Sequence, residues 1–431
     1  MPPYEKGLCP KDKGKPVKSV QRYVYLLVQD IPDPPGQGPA TPARRHNRQA
    51  YRDILFFHPK TTRMDLITVK DVATALDAFA PRAYAEDFDN TGLLVGEPDM
   101  PVNGILVAHD CLEEVVAEAQ EKHCNLIVAF HPIIFSGLKS LTGRNYVERA
   151  VMRALRAGIA IYAVHTALDN AFHGVSAGMC DALELSGRRV LTAQKDTLRH
   201  LSVFVPDGYA DRVREALTDA GAGRIEPYDR CTFNAPGYGT FRALEGAEPF
   251  VGRIGQTHRE PETRIEAIVA RHRLASVVEA LKAAHPYQMP AYQITAIENT
   301  DPHIGMGMVG ELPRAMDETD FLHLLRTRFD AKGIRHSALR GGKVRTVAVL
   351  GGAGSFAIEQ AVARGADAYV SADFKYHDFF RAEGRILLAD IGHFESERFT
   401  KNILHDYLMK KFTIFAVRLS DINTNPIHYL Q

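Results

Sequence analysis

The sequence predicts an α/β protein: a split α/β domain with a mainly parallel sheet, interrupted by a ferredoxin-like α+β insert. Three observations lead there. Short, continuous apolar runs alternate with amphipathic stretches in the first part of the chain, the pattern of parallel strands covered on both faces. Over residues 196–302 the rhythm changes to shorter strands of alternating polarity. From residue 303 the first rhythm returns.

The elements follow in order. Residues 1–63 carry 12 Lys/Arg against 5 Asp/Glu and hold 10 of the 24 prolines, including "PDPPGQGPATP" at 32–42. Such a segment buries too little apolar surface to offset its ordering entropy, so a disordered, basic, proline-rich extension is expected there. Its "YVYLLV" is too short for the apolar region of a secretory signal. The first half of the domain, 64–195, opens with a helix. Val69, Val72, Ala73, Leu76 and Phe79 share one face, and Pro81 stops it. "GILVAHD" (104–110), "NLIVAFH" (125–131) and "IAIYAVH" (159–165) read as strands. The helices between them are "CLEEVVAEAQEKH" and "NYVERAVMRALRAG", the second ended by Gly158.

In the insert, 196–302, "HLSVFVP" precedes a helix, and strands follow at "CTFNA", "GTFRAL" and "RIEAIVA". A second helix and "AYQITAIEN" close a β-α-β-β-(β)-α-β unit. Gly305, Gly307 and Gly310 are expected to form the hinge back. The second half, 303–431, has strands at "VRTVAVLGG" (344–352), "AYVSAD" (368–373) and "RILLADIGH" (385–393).

Composition sets outer bounds. A chain of 431 residues, 45% hydrophobic and 24% charged, has the length of two or three domains with ample core. No apolar run approaches the ~18 residues of a membrane span. Formal net charge is zero, which gives no general attraction to nucleic acid or to a membrane surface. Cys9, Cys111, Cys124, Cys180 and Cys231 are scattered and never C-x-x-C, so neither a disulfide framework nor a thiolate zinc site is expected. A reducing, cytoplasmic setting is the expectation.

The chemistry collects at strand ends. Three of the strands finish in a histidine: His131, His165 and His393. In open parallel sheets those ends line the ligand crevice. Two of the histidines bring a carboxylate four residues on, as His165-Thr-Ala-Leu-Asp169 and His393-Phe-Glu-Ser-Glu397. On a helix that spacing puts both side chains on one face, where they can meet one ion or remain a solvated pair. Imidazoles and carboxylates without thiolate suit Zn, Mn, Fe or Co better than Ca or Mg. "GGAGSF" (351–356) reads as a tight strand–helix turn, and "ADFKYHDFF" (372–380) places Asp373 or His377 at another strand end.

The chain from about Asp65 onward resembles the Nif-three-like dinuclear metal-centre family, whose members are often labelled type 2 GTP cyclohydrolase homologues. The pieces that carry the likeness are "DNTGLLVG" (89–96), "HPIIFSGLKSLTG" (131–143), "YAVHTALDN" (162–170), "GHFESE" (392–397) and "NTNP" (423–426). "AGAGRIEPYDRCTF" and "HPYQMPAY" resemble the PII/CutA-like module of longer members.

The resemblance implies a toroidal homo-hexamer with paired divalent ions facing an inner cavity. It puts metal ligands on His131, Asp169, His393 and Glu397, with His165 close by. A metal-dependent hydrolase acting on a nucleotide-like small molecule follows, with Asp169 or Glu397 bridging ions and His165 moving protons. The alternative is a non-catalytic hexameric scaffold or regulator that senses a ligand through its insert. Two positions depart from the family pattern. Phe130 stands where the first of two adjacent histidines is usual, and Ala167 where an asparagine is common. A phenyl ring cannot coordinate, so of one or two ions per chain the expected content is closer to one.

Overall fold

Thr68 caps the helix Val69–Phe79 through a capping box with Asp71, and Val69, Val72 and Leu76 turn inward as their spacing requires. The computed structural model describes residues 66–430, so the extension expected over 1–63 lies outside the described residues. Strands β1 (Gly92–Val95), β2 (Gly104–Ala108), β3 (Leu126–Ala129), β4 (Ala160–Ala163) and β5 (Ser186–Ala193) come first. β6 (Leu198–Pro206), β7 (Phe233–Arg242), β8 (Thr257–Ala270) and β9 (Tyr292–Ala296) follow. β10 (Gly305–Asp317), β11 (Arg335–His336), β12 (Lys343–Ala353), β13 (Ala368–Ala372), β14 (Leu387–Asp390) and β15 (Ala416–Leu419) complete the set.

These strands form three sheets, in the orders β1-β4-β3-β2-β15, β11-β14-β13-β12-β10-β5 and β7-β8-β6-β9. The expected single parallel sheet is therefore two mixed sheets. In the first, β2, β3, β4 and β15 run parallel and β1 is an antiparallel edge. In the second, only β12, β13 and β14 are parallel, while β10, β5 and β11 pair antiparallel. The sheets also exchange strands across the insert. β5, from the first half of the sequence, edges the second sheet, and β15, from the end, edges the first. A doubly buried apolar run looks the same whichever sheet receives it, so strand spacing alone does not reveal this partition.

The two larger sheets are each packed on both faces. In the first, Ile105, Val107, Leu126 and Val128 face one cluster and Leu106, Ala108, Ile127 and Ala129 face the other, all fully buried. Truncating one such Leu or Ile to Ala costs about 2–5 kcal/mol.

Gly305, Gly307 and Gly310 do not form a hinge: they lie within β10, between β12 and β5. Gly307 has φ +72°, and a Cβ there would sit 3.0 Å from the Val349 carbonyl. "CTFNA" and "GTFRAL" belong to one strand, β7, which passes unbroken through Pro236. β7 is an edge strand, where a missing N–H is tolerated. Among the described residues, no helix is long and apolar enough to cross a membrane.

Candidate metal centre

Parallel register brings the ends of β2, β3 and β4 level, with Ala108 beside Ala129 and Ala129 beside Ala163. The next residues of each strand leave from the same edge. Phe130 N–H donates to Ala108 O (3.1 Å), His131 N–H to His109 O (3.0 Å) and His165 N–H to Phe130 O (2.9 Å). From the second sheet, β14 leads through Gly392 into the helix His393–Glu397, where the i, i+4 spacing brings His393 and Glu397 together.

Glu397 is the focus. Its side chain is 4% exposed, and its Oε2 lies 3.2 Å from His393 Nε2, 3.3 Å from His131 Nε2 and 3.5 Å from His109 Nε2. Oε2 is nevertheless without a hydrogen-bond partner, and so is Asp169 Oδ1 nearby. Two buried carboxylate oxygens left unpaired are costly unless a cation completes them. Ligands about 2.0–2.1 Å from a tetrahedral ion stand about 3.3 Å apart, the separation seen between Glu397 and both imidazoles. Donor types, spacing and orphaned oxygens all fit a divalent ion.

The far nitrogens of the imidazoles are tied down. His131 Nδ1 donates to Asp110 Oδ1 (2.8 Å), His393 Nδ1 to Asp373 Oδ2 (2.7 Å) and His165 Nδ1 to Asp89 Oδ1 (2.7 Å). A carboxylate only accepts, so each Nδ1 carries a hydrogen, and Nε2 is the nitrogen that offers its lone pair to an ion once any proton there is displaced. Asp110 also accepts from the Thr424 hydroxyl, which gives the terminal "NTNP" a place in the site. His165 and Asp373 hold φ of +33° and +57°, sparsely populated values of the kind found at functional sites.

The electrostatics follow from this packing. Burial opposes charge on His131 and His393, but the hydrogen bonds to Asp110 and Asp373 and the nearby charge of Glu397 outweigh it and carry their pKa values up to about 9 and about 11. Glu397 is held well below the usual range: burial opposes this, and the imidazoles of His131 and His393 overcome it. Asp169 goes the other way, raised by burial and by the charge of Glu397. Burial pushes His109 down to about 4, so it is a neutral imidazole. Burial also pushes the Cys111 thiol up to about 12.

Of the residues expected from the sequence, His131, His393 and Glu397 present donor atoms within 4.8 Å of one another. Asp169 and His165 belong to neither of the close sets found among the described residues. Asp169 is half-buried beside Glu397, and the His165 ring centroid is 5.2 Å from that of His131. His109 escaped sequence reasoning although it follows directly on β2, as His131 and His165 follow closely on β3 and β4. "GGAGSF" proves to be a wall of the site. A Cβ on Gly352 (φ +67°) would lie 2.3 Å from Glu397 Oε1, and the Gly352 N–H donates to Ser396 Oγ (2.9 Å).

The class reached so far is a mixed α/β protein with a cluster of side chains able to hold a metal ion. A family model described as Duf34/NIF3 (NGG1p interacting factor 3) matches residues 67–426, and the chain belongs to that family. It is 36% identical over 367 residues to a Bacillus subtilis (strain 168) protein named "GTP cyclohydrolase 1 type 2 homolog", covering 84% of this chain and 98% of that one. A Halalkalibacterium halodurans protein of the same name is 37% identical over 315 residues, covering 73% and 85%. Among solved structures, the fold is similar to a Bacillus cereus protein related to NIF3, with TM-score 0.75, 34% identity, and 85% and 100% of the two chains covered. Staphylococcus aureus protein SA1388 superposes with TM-score 0.69 at 30% identity, over the same shares.

Proposed function

We propose that this chain is a divalent-metal-dependent hydrolase acting on a nucleotide-like small molecule, with ligands drawn from His131, His393, Glu397 and Asp169. The observation that supports this most is Glu397 Oε2, buried, unpaired and faced by imidazole nitrogens at 3.2–3.5 Å. A bound divalent ion supplies Lewis acidity to a water or to a substrate oxygen. The chain's own residues do the rest. Asp110 and Asp373 fix the imidazole orientations. His165, with Nδ1 on Asp89, keeps Nε2 as the basic nitrogen able to take and return a proton. The His393 side chain, 40% exposed, marks where solvent and substrate reach the site. The nucleotide class rests on the names of the relatives.

The test is turnover of a panel of nucleotides by metal-loaded protein, compared with Glu397→Gln. Hydrolysis that the variant lacks is the expected result; no turnover of any member by a fully loaded chain would sink the hydrolase reading. We further read the protein as a cytoplasmic homo-hexamer, for which light scattering on the purified chain gives the mass directly.

A second reading is favoured by the insert. We take its four-stranded sheet and two helices as a PII/CutA-like sensing module in a non-catalytic scaffold or regulator. A cleft of about 780 Å³ opens there, lined by Tyr238, Phe241, Phe250 and Tyr287 around Glu262. Glu262 is 7% exposed and accepts from the Tyr287 hydroxyl (2.9 Å). A small aromatic ligand bearing a cationic or N–H donor group suits this lining. Ligand-dependent thermal shifts abolished by Glu262→Gln, without change in metal content, would favour this reading.

A further inference from the structure

We infer that His109 is a metal ligand, and that it supplies the imidazole missing at Phe130, so that a second ion is held beside the first. The inference rests on the metal-centre reading above and goes beyond its ligand set. His109 and Phe130 occupy neighbouring positions one step past the paired ends of β2 and β3, as the Phe130 N–H to Ala108 O bond shows. An imidazole moved from 130 to 109 is therefore displaced by a single strand spacing, about 4.8 Å, along the same edge.

The phenyl ring that cannot coordinate packs on the imidazole that can. Phe130 stacks on His109 (centroids 5.5 Å, interplanar 26°), and Phe394 meets it edge-on at 5.0 Å. His109 Nδ1 meets the Thr400 hydroxyl at 3.2 Å, inside a fully buried environment. That fixes the ring with Nε2 toward Glu397 Oε2, 3.5 Å away. Asp110, its neighbour in sequence, is already engaged by His131 and Thr424, so the unpaired Glu397 oxygen is the group that His109 addresses.

Glu397 Oε2 is thus approached by three imidazole nitrogens, those of His109, His131 and His393. His131 and His393 form one close set with it, and His109 forms a second with Asp110 and His131 while its Nε2 also approaches the same oxygen. With two close sets sharing His131 beside it, Glu397 would be able to serve both ions of a pair. The ligand count that predicts about one ion per chain, over His131, His165, Asp169, His393 and Glu397, leaves out His109, which the fold brings in from the next strand.

The experiment measures bound cobalt per chain by plasma mass spectrometry, with the visible cobalt spectrum as a second readout. It uses the full chain and the variants His109→Leu, His109→Leu/Phe130→His and Glu397→Gln. The expected content is about two ions in the unmodified chain, about one in His109→Leu and about two again in the double variant. His109→Leu that keeps the unmodified stoichiometry and spectrum overturns the inference while leaving the first ion in place. An unmodified chain holding no cobalt removes the whole centre, which separates that failure from this one. Thermal melts in chelator guard against misfolding. His109→Leu should melt with the unmodified chain when both are metal-free and below it only when both are loaded, whereas a deficit already present without metal marks His109 as structural and counts against ligation.

Discussion

The rings of His131 and His393 stand 5.5 Å apart, one at the end of β3 in the first sheet and the other just beyond β14 in the second. The site is therefore a seam between two sheets, closed by Glu397, whose Oε2 both imidazoles approach. An ion bound there would tie the sheets together, and metal binding should act on stability as well as chemistry.

Removing Glu397 tests the seam directly. Outer partners of metal ligands typically contribute about 10–100-fold in affinity. Glu397→Gln should lose more than that, because the variant removes the negative charge that several imidazoles approach. Isothermal titration with zinc measures it, and an unchanged dissociation constant would exclude Glu397 as a ligand.

The outer carboxylates predict a graded effect. Asp373 orients His393 through Nδ1 at 2.7 Å. Asp373→Asn keeps the shape but offers a weaker acceptor, so zinc affinity should fall by about 10–100-fold with the fold intact. Circular dichroism beside the titration separates lost affinity from lost structure.

The pH dependence has opposite signs in the two states. His131 and His393, with pKa values of about 9 and about 11, keep their protons at neutral pH in the metal-free chain. An ion must displace them, so affinity should rise with pH by roughly tenfold per unit for each proton released. Groups with a raised folded pKa contribute fully below the unfolded value, 6.5 for histidine, and that contribution is lost as pH rises through the folded pKa. The metal-free melting temperature should therefore decline from about pH 6.5 to about pH 9 on account of His131, while zinc-loaded protein gains over the same range. Parallel declines in both states would contradict the assignment.

Gly352 faces the carboxylate without a side chain. Gly352→Ala places a methyl group 2.3 Å from Glu397 Oε1 on a backbone at φ +67°. We expect destabilisation of about 1–3 kcal/mol together with reduced metal content, measured by denaturant titration and plasma spectrometry. Destabilisation with full metal content would show that the glycine serves the turn and not the site.

Much of this architecture is local and therefore legible in the chain. The apolar runs at 104–108, 126–129, 160–163 and 387–390 are strands because each is short and continuous, and each is followed by a helix. The spacing of His393 and Glu397 needs only a single helical turn to bring them together. Strand ends marked by histidine pointed to the crevice by the same one-dimensional logic.

What tertiary structure alone decided is which strand lies beside which. Pairing partners are chosen by edge geometry and chain connection over long separations, and neither leaves a mark on a run already buried on both faces. Hence one expected sheet is two, β5 and β15 have changed places, and glycines read as a hinge lie inside β10. The same rule governs the site. Asp89, Asp110 and Asp373 became the partners of His165, His131 and His393 only when separate loops met at one edge. His109 was set beside Phe130 and in front of Glu397 by strand register and by the joining of two sheets. The residue types and their spacing along the chain reveal that imidazoles and carboxylates are available; only the long-range pairing of strands determines which of them share a neighbour.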